Sequence, residues 1–167
     1  VSTVQLLHSD LLTTLDRILA ATGLPPQALK LEVTETTLMR RAEQVGEVLA
    51  ALRSRQIRFC IDDFGTGYSS LSYLRDFSFD TLKIDRSFVM TLERDSKSQE
   101  LVRTIIMLGK NLGLELVAEG VETREQLAHL RALDCDQGQG YLLSRPLPPI
   151  AAELVLTTGV PFPDGED

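Results

Sequence analysis

The sequence predicts an α/β fold in which parallel strands curve toward a (β/α)8 barrel, present without its first strands and helices. Three observations point there. Short apolar runs alternate with stretches of helical period along the chain, and strands separated by helices pair in parallel. Glu32, Asp62, Asp63, Asp85 and Glu119 fall at or near the C-terminal ends of different runs, as does Lys83. A TIM-type barrel presents all those ends on one face, whereas a doubly wound sheet concentrates its site at one crevice with a Gly-rich phosphate loop. Third, the runs amount to about five strands, where a complete barrel takes eight and roughly 250 residues, so the expectation is that about 80 residues of N-terminal barrel are missing.

The elements follow in order. Ser9 is placed to cap a helix with apolar face Leu11, Leu12, Leu15, Ile18 and Leu19, stopped by Gly23 and Pro25-Pro26. A strand is expected at 29–33, then a helix carrying Leu38, Val45, Val48, Leu49 and Leu52, then a strand at 57–61 ending in Asp62-Asp63-Phe64-Gly65-Thr66-Gly67. A short helix at 69–75 leads to a strand at 81–84. The helix around 100–112 is expected to bury Leu101, Ile105, Leu108 and Leu112, and Gly113 ends it. A strand at 115–118 ends in Glu119-Gly120. Thr123 and Gln126 have capping-box spacing before a helix bearing Leu127, Leu130 and Leu133. A last strand-like segment, 135–142, precedes Pro146 and a helix at 150–156. Residues 1–160 read as one domain and 161–167 as a polar tail.

Composition narrows the function. With 43% hydrophobic and 25% charged residues the chain is ordinary for a globular domain, and no run approaches the ~18–20 apolar residues that span a bilayer, so direct membrane insertion is not expected. A net charge of −7 argues against a general DNA or RNA surface. It leaves room for a phosphate-bearing ligand, because bound cations reverse the local sign. Cys60 and Cys135 sit in apolar settings without metal-ligand spacing to His8 or His129, and are expected as buried small hydrophobes. Both histidines are expected on helix surfaces, without a catalytic role.

The chemistry lies in the acids. Consecutive strand residues point to opposite faces, so Asp62 and Asp63 can serve one site only if the chain bends after Ile61, and Gly65 and Gly67 are placed to allow it. Adjacent carboxylates are costly unless cations lie between them, and hard oxygen ligands suit Mg2+ or Mn2+. Glu32 and Glu119 at neighbouring strand ends strengthen that reading. Lys83 is either an ion-pair partner or a group that orients a nucleophilic water or neutralises a phosphate oxygen. Glu35 and Glu122 could be capping carboxylates only. Gln139, between Gly138 and Gly140, sits where the backbone can approach a ligand closely.

Five ordered motifs then carry a resemblance. Leu31-Glu32-Val33-Thr34-Glu35, Asp62-Asp63-Phe64-Gly65-Thr66-Gly67-Tyr68-Ser69-Ser70-Leu71, Leu82-Lys83-Ile84-Asp85, Ala118-Glu119-Gly120-Val121-Glu122 and Gln139-Gly140-Tyr141 resemble the motifs of the EAL family, and Ser144-Arg145-Pro146-Leu147 resembles its closing segment. The resemblance implies a barrel that hydrolyses cyclic di-GMP to linear pGpG by in-line attack, with two divalent metals, Mg2+ or Mn2+. It implies Glu32 and Asp62 as ligands of one metal, Asp63 as ligand of the second, and Asp85 supporting that second site. Lys83 and Glu119 are then the residues that position and activate the attacking water. Gln139 supports the site or touches substrate. Glu35 anchors the loop 64–70, Phe64 and Gly65 included, which in the family shapes metal binding and dimer contacts. Glu122 is carried over as a supporting residue.

The resemblance further implies a homodimer, sensory or GGDEF-type domains in a longer parent, and a cytoplasmic location, including the cytoplasmic part of a membrane-bound parent. The family's Glu-Ala-Leu segment, with a metal-binding Glu and a nearby Arg, does not occur in the 167 residues, nor does the Asn ligand expected just before Val1. Residues 1–167 alone are therefore expected to be inactive. The rival reading is a module that binds cyclic di-GMP, or dimerises, without turnover.

Overall fold

A computed structural model describes residues 1–8, 10–40, 42–66, 74 and 77–158. Strands β1 (Lys30–Thr34), β2 (Arg58–Phe64), β3 (Thr81–Ile84), β4 (Glu115–Glu119) and β5 (Gln137–Gln139) form one sheet in chain order. Every neighbouring pair is parallel. Parallel strands in sequence order, with no reversal, are the arc of a TIM-type barrel. The arc is curved: Lys30 on β1 reaches Glu115 on β4 at 2.7 Å. Three interstrand steps of about 4.8 Å each would put a flat sheet's β1 and β4 about 14 Å apart.

The helices are α1 (Thr3–Leu6), α2 (Leu11–Thr22), α3 (Glu35–Arg40), α4 (Ala42–Arg53), α5 (Arg86–Val89), α6 (Ser96–Asn111), α7 (Arg124–Ala132) and α8 (Pro149–Thr158). None is long and apolar enough among the described residues to cross a membrane. On the helix side of the sheet, Val33, Phe59, Ile61, Leu82, Ile84, Leu116 and Ala118 are buried under Leu38, Val45, Leu49 and Leu52 of α3 and α4 and Val102, Ile105 and Ile106 of α6. Each large side chain so buried contributes about 1.5–3 kcal/mol. The opposite, concave face is polar at both strand ends, where alternation puts Lys30, Thr81 and Glu115 and then Glu32, Asp62, Lys83 and Glu119, with Cys60 and Val117 buried between them.

The local signals act as their chemistry demands in several places. Thr123 accepts from Gln126 N while the Gln126 side chain accepts from Thr123 N, closing the capping box of α7. Gly23 ends α2 in the left-handed region, its N–H on Leu19 O.

Other expectations shift. In α6 the buried face is Val102, Ile105, Ile106 and Gly109, and Leu101 and Leu112 remain 40% and 42% exposed. On α2 only Leu19 is buried and Ile18 is exposed. Asp10 stands at the N-cap of α2 without a side-chain cap bond, and Ser9 lies outside the described residues. β2 runs on to Phe64, and β5 is only three residues long, because Leu142 N turns back to Val121 O. α5 carries no hydrophobic period and is not visible in the sequence pattern. α8 has no buried residue. The helix expected at 69–75, apart from Leu74, and the tail 161–167 lie outside the described residues.

Candidate metal and catalytic centre

Lys83 is the middle of the site. It sits on β3, the central strand, all four of whose residues are buried. Its Nζ lies 2.8 Å from Glu32 Oε1 and 3.0 Å from Asp62 Oδ1, and it contacts Glu119 Oε1. One ammonium thus ties β1, β2 and β4 together on the concave face. Burial opposes the charge on Lys83, but the contacts with Glu119, Glu32 and Asp62 outweigh it and hold the pKa above the ordinary lysine value. These contacts favour the charged ammonium.

The bend that brings Asp62 and Asp63 to one site lies at Asp63 itself, with φ of 55°, where the β2–β3 register also slips between Ile61 and Phe64. Asp tolerates the left-handed region better than most non-glycine residues, because its short side chain can bond locally. Gly65 follows with φ of 95°, and a β-carbon there would stand 2.9 Å from Phe88 Cε2. Gly67 lies outside the described residues. Gly65 N donates to the buried Glu35 Oε2 at 3.1 Å, so Glu35, at the start of α3, anchors the first turn of the loop. Phe64 is buried; residues 67–70 of that loop are not described.

Oxygens of Asp62, Asp63 and Glu119 lie within 4.8 Å of one another. Burial, then the charges of Asp62 and Asp85, push the Asp63 carboxyl above its usual range. Burial also raises Glu119, against the pull of Lys83. Asp62 Oδ1 is the telling atom. It is fully buried and stands at ion-pair distance from Lys83, but without hydrogen-bond geometry, and it has no hydrogen bond among the described residues. One ammonium shared among three carboxylates leaves this pocket short of positive charge, and hard divalent cations at Asp62 and Asp63, with Glu119 close by, would supply it. The donor set is all oxygen, which fits Mg2+ or Mn2+.

Not every expected residue joins that group. Glu32 is held at its edge through Lys83, with its side chain 48% exposed. Asp85 is close enough to raise Asp63, but its Oδ1 accepts from Ser87 N at 2.9 Å and caps α5. Glu122 pairs with Arg86 Nη2 at 2.6 Å. Gln139 Nε2 donates to Glu119 Oε1 at 3.0 Å. Gly140, next to it, packs its backbone against that of Val121.

Beside Glu119 and Gln139 opens a cleft of about 400 Å3, also lined by Arg86, Glu122, Tyr141, Ser144 and Arg145. The Arg145 guanidinium lies 4.8 Å over the Tyr141 ring. Arg145 belongs to the closing segment Ser144-Arg145-Pro146-Leu147, whereas Arg86, directly after Lys83-Ile84-Asp85, lies outside the sequence motifs. The cysteines stay thiols: burial pushes Cys60 up to about 12 and raises Cys135 as well. His8 lies exposed in a turn, contacting Asp10, and His129 is exposed on α7.

The EAL domain family model matches residues 1–146. The cyclic di-GMP phosphodiesterase NbdA of Pseudomonas aeruginosa is 50% identical over 131 residues, which is 78% of this chain and 17% of NbdA. The structure of the phosphodiesterase MucR of the same organism in complex with c-di-GMP superposes with a TM-score of 0.87 at 43% identity, covering 91% of this chain and 62% of that one. BlrP1 of Klebsiella pneumoniae, solved with manganese and cyclic di-GMP, superposes with a TM-score of 0.78 at 39% identity, covering 83% and 36%. The chain spans about a fifth of the length of the curated relatives it matches, 20% for three of them. Its strand order, its acidic strand ends and the span of the match agree: this chain belongs to the EAL domain family.

Proposed function

We propose that these residues are the core of a phosphodiesterase site that opens cyclic di-GMP to linear pGpG in the intact parent domain. Water adds to one phosphorus, the P–O3′ bond breaks, and the 3′ oxygen takes up a proton, so that hydrolysis leaves one 5′ phosphate and one 3′ hydroxyl. The observation that carries the reading is the cluster of Asp62, Asp63 and Glu119 oxygens within 4.8 Å of one another, where the buried Asp62 Oδ1 has only its ion pair with Lys83 among the described residues. Glu32 and Asp62 would hold one Mg2+ or Mn2+, and Asp63, supported by Asp85, would hold the second. Bound there, the pair supplies water activation and charge neutralisation at the phosphoryl oxygens. Lys83 holds Glu32, Asp62 and Glu119 in place and offers its ammonium to the water or a phosphate oxygen. Glu119 orients the water and receives its proton. Its raised pKa suits that task. Gln139 fixes Glu119, Glu122 fixes Arg86, and Glu35 fixes the loop that begins at Phe64 and Gly65.

In this reading residues 1–160 are one unit of a longer, cytoplasm-facing protein that works as a homodimer with GGDEF-type or sensory domains, and 161–167 are a tail. The test is turnover by the full-length protein with Mg2+ or Mn2+, followed as pGpG formed. Asp62→Ala and Glu32→Ala should abolish it, and retained activity in Asp62→Ala overturns the ligand assignment. Binding of cyclic di-GMP without turnover by the wild type makes the domain a receptor instead. Residues 1–167 alone, with five strands among the described residues where a closed barrel takes eight, should give no measurable hydrolysis. Clear pGpG formation by that piece overturns this expectation.

A further inference from the structure

We propose that Gly140 is a positioning residue of the site: its missing side chain lets the chain leaving β5 press on the backbone of Val121, and that contact sets where Gln139 meets Glu119. The proposal rests on the phosphodiesterase reading above. A β-carbon on Gly140 would stand 2.1 Å from Val121 O, 2.3 Å from Val121 N and 2.7 Å from Val121 C. All three are backbone atoms, so no rotamer change makes room, and Val121 is itself fully buried and has nowhere to retreat.

Hydrogen bonds close on both sides of this contact. Val121 N donates to Gln139 O at 3.1 Å, and Leu142 N donates to Val121 O at 3.0 Å. They extend the pairing of β4 with β5 beyond the last register pair, Glu119 opposite Gln139. Gln139 Nε2 therefore arrives at Glu119 Oε1, the same oxygen that Lys83 contacts. Two donors on one oxygen fix the carboxylate from one side. The small residue next to Gln139 thus serves the neighbouring strand end, two residues past Glu119.

Gly138 is the internal control. It lies within β5, two residues before Gly140, yet a β-carbon there meets only Val121 Cγ2, at an ordinary 3.4 Å. An alanine at 138 fits. One at 140 forces the strand end away by on the order of 1 Å, and a displacement of that size near reacting groups costs about 10²-fold in rate.

The experiment compares Gly140→Ala, Gly138→Ala, Gln139→Ala and the double variant Gly140→Ala/Gln139→Ala in the full-length protein, by steady-state hydrolysis of cyclic di-GMP and by amide hydrogen exchange. Gly140→Ala should lower kcat by about 10–100-fold with KM changed far less. It should also lower protection at the Val121 and Leu142 amides while leaving Leu116 protected. Gly138→Ala should behave as wild type. In the Gln139→Ala background the further loss from Gly140→Ala should nearly vanish, since both act through one contact. Equal losses in both backgrounds, or wild-type kcat in Gly140→Ala, overturn the proposal. If Gly140→Ala does not fold, Gln139→Ala decides alone: wild-type kcat there overturns it, and a drop with Val121 still protected supports it. If the wild type does not turn over the nucleotide, the phosphodiesterase reading fails, and unchanged Val121 exchange in Gly140→Ala then overturns the positioning role separately.

Discussion

At the N-terminal ends of the strands Lys30 reaches from β1 to Glu115 on β4, and at the C-terminal ends Lys83 reaches from β3 to Glu32, Asp62 and Glu119. Both lysines bridge the concave face, but their surroundings differ. Glu115 takes bonds from Lys30 at 2.7 Å, Thr81 Oγ1 at 3.0 Å and Gln137 Nε2 at 2.6 Å, and the Lys30 bond holds its carboxyl below the usual range. At the lower rim two cations, Lys30 and Arg58, act on the one carboxylate of Glu115, which is hydrogen-bonded on both its oxygens. The upper rim sets one lysine against three direct carboxylates, with Asp63 and Asp85 beside them, and among the described residues Asp62 Oδ1 has only that lysine. The same curved sheet is closed for stability at one end and left short of positive charge at the end where barrels keep their chemistry.

Replacing each lysine separates the two rims most sharply. Lys83→Met leaves three carboxylates facing one another around a side chain only 7% exposed. The metal-free protein should lose about 3–5 kcal/mol, and turnover should fall about 10²–10⁴-fold. Lys30 is 32% exposed and screened by water, so Lys30→Met should cost no more than about 1 kcal/mol and keep activity. Denaturant midpoints and pGpG formation on both variants check this. Equal losses would mean that the rims are not different in kind.

Divalent cation gives the next largest difference. At about 100 times its Kd, each bound Mn2+ should stabilise the wild type by about 2.7 kcal/mol. Asp62→Ala should lose that shift and Glu115→Gln should keep it. Thermal scans with and without Mn2+ read the difference. A shift that persists in Asp62→Ala would move the cation elsewhere.

The upper rim was largely legible in the sequence, because acids at successive strand ends must share a face once the strands are parallel. What the pattern could not supply is longer in range. Lys30 and Glu115 are far apart along the chain, and nothing local pairs them. α6 carries two apolar stripes, one through Leu101, Leu108 and Leu112 and one through Val102, Ile105 and Ile106, and only the sheet beneath decides that the second is buried. Asp85 reads as a ligand by position but spends an oxygen on capping α5, a four-residue helix without hydrophobic period. The bend at Asp63 could be demanded from strand geometry, yet its place on the aspartate itself depends on the β2–β3 register slip.

Asp63→Asn probes that acid excess at smaller cost. Asn accepts a φ of 55° as readily as Asp, so the backbone need not move. Removing one charge from beside Asp62 and Asp85 should stabilise the metal-free protein, by no more than about 1 kcal/mol because Asp63 is partly exposed and water screens it. The stabilisation by Mn2+ should weaken at the same time. A gain in metal-free stability with a loss of cation response is the trade expected where function holds a site in electrostatic tension. Urea midpoints in EDTA against those in Mn2+ measure it. Destabilisation in EDTA would show that the acids are already compensated.

The smallest effect belongs to the lower rim and is read in pH. Glu115 has a folded pKa below its ordinary value of 4.5 because Lys30 bonds its ionised form. A depressed carboxylate contributes stability above its unfolded pKa, and that contribution drains away as pH falls through the folded value, since the unfolded chain takes up the proton first. Glu115→Gln should therefore be less stable than wild type at neutral pH, by no more than about 1 kcal/mol with the side chain 36% exposed. The two proteins should converge as pH drops below about 4.5 and on past the folded pKa. Urea midpoints across that window measure the difference. If it is as large in acid as at neutral pH, the loss comes from the neutral hydrogen bonds with Thr81 and Gln137, and the charge on Glu115 does not set the stability of that rim.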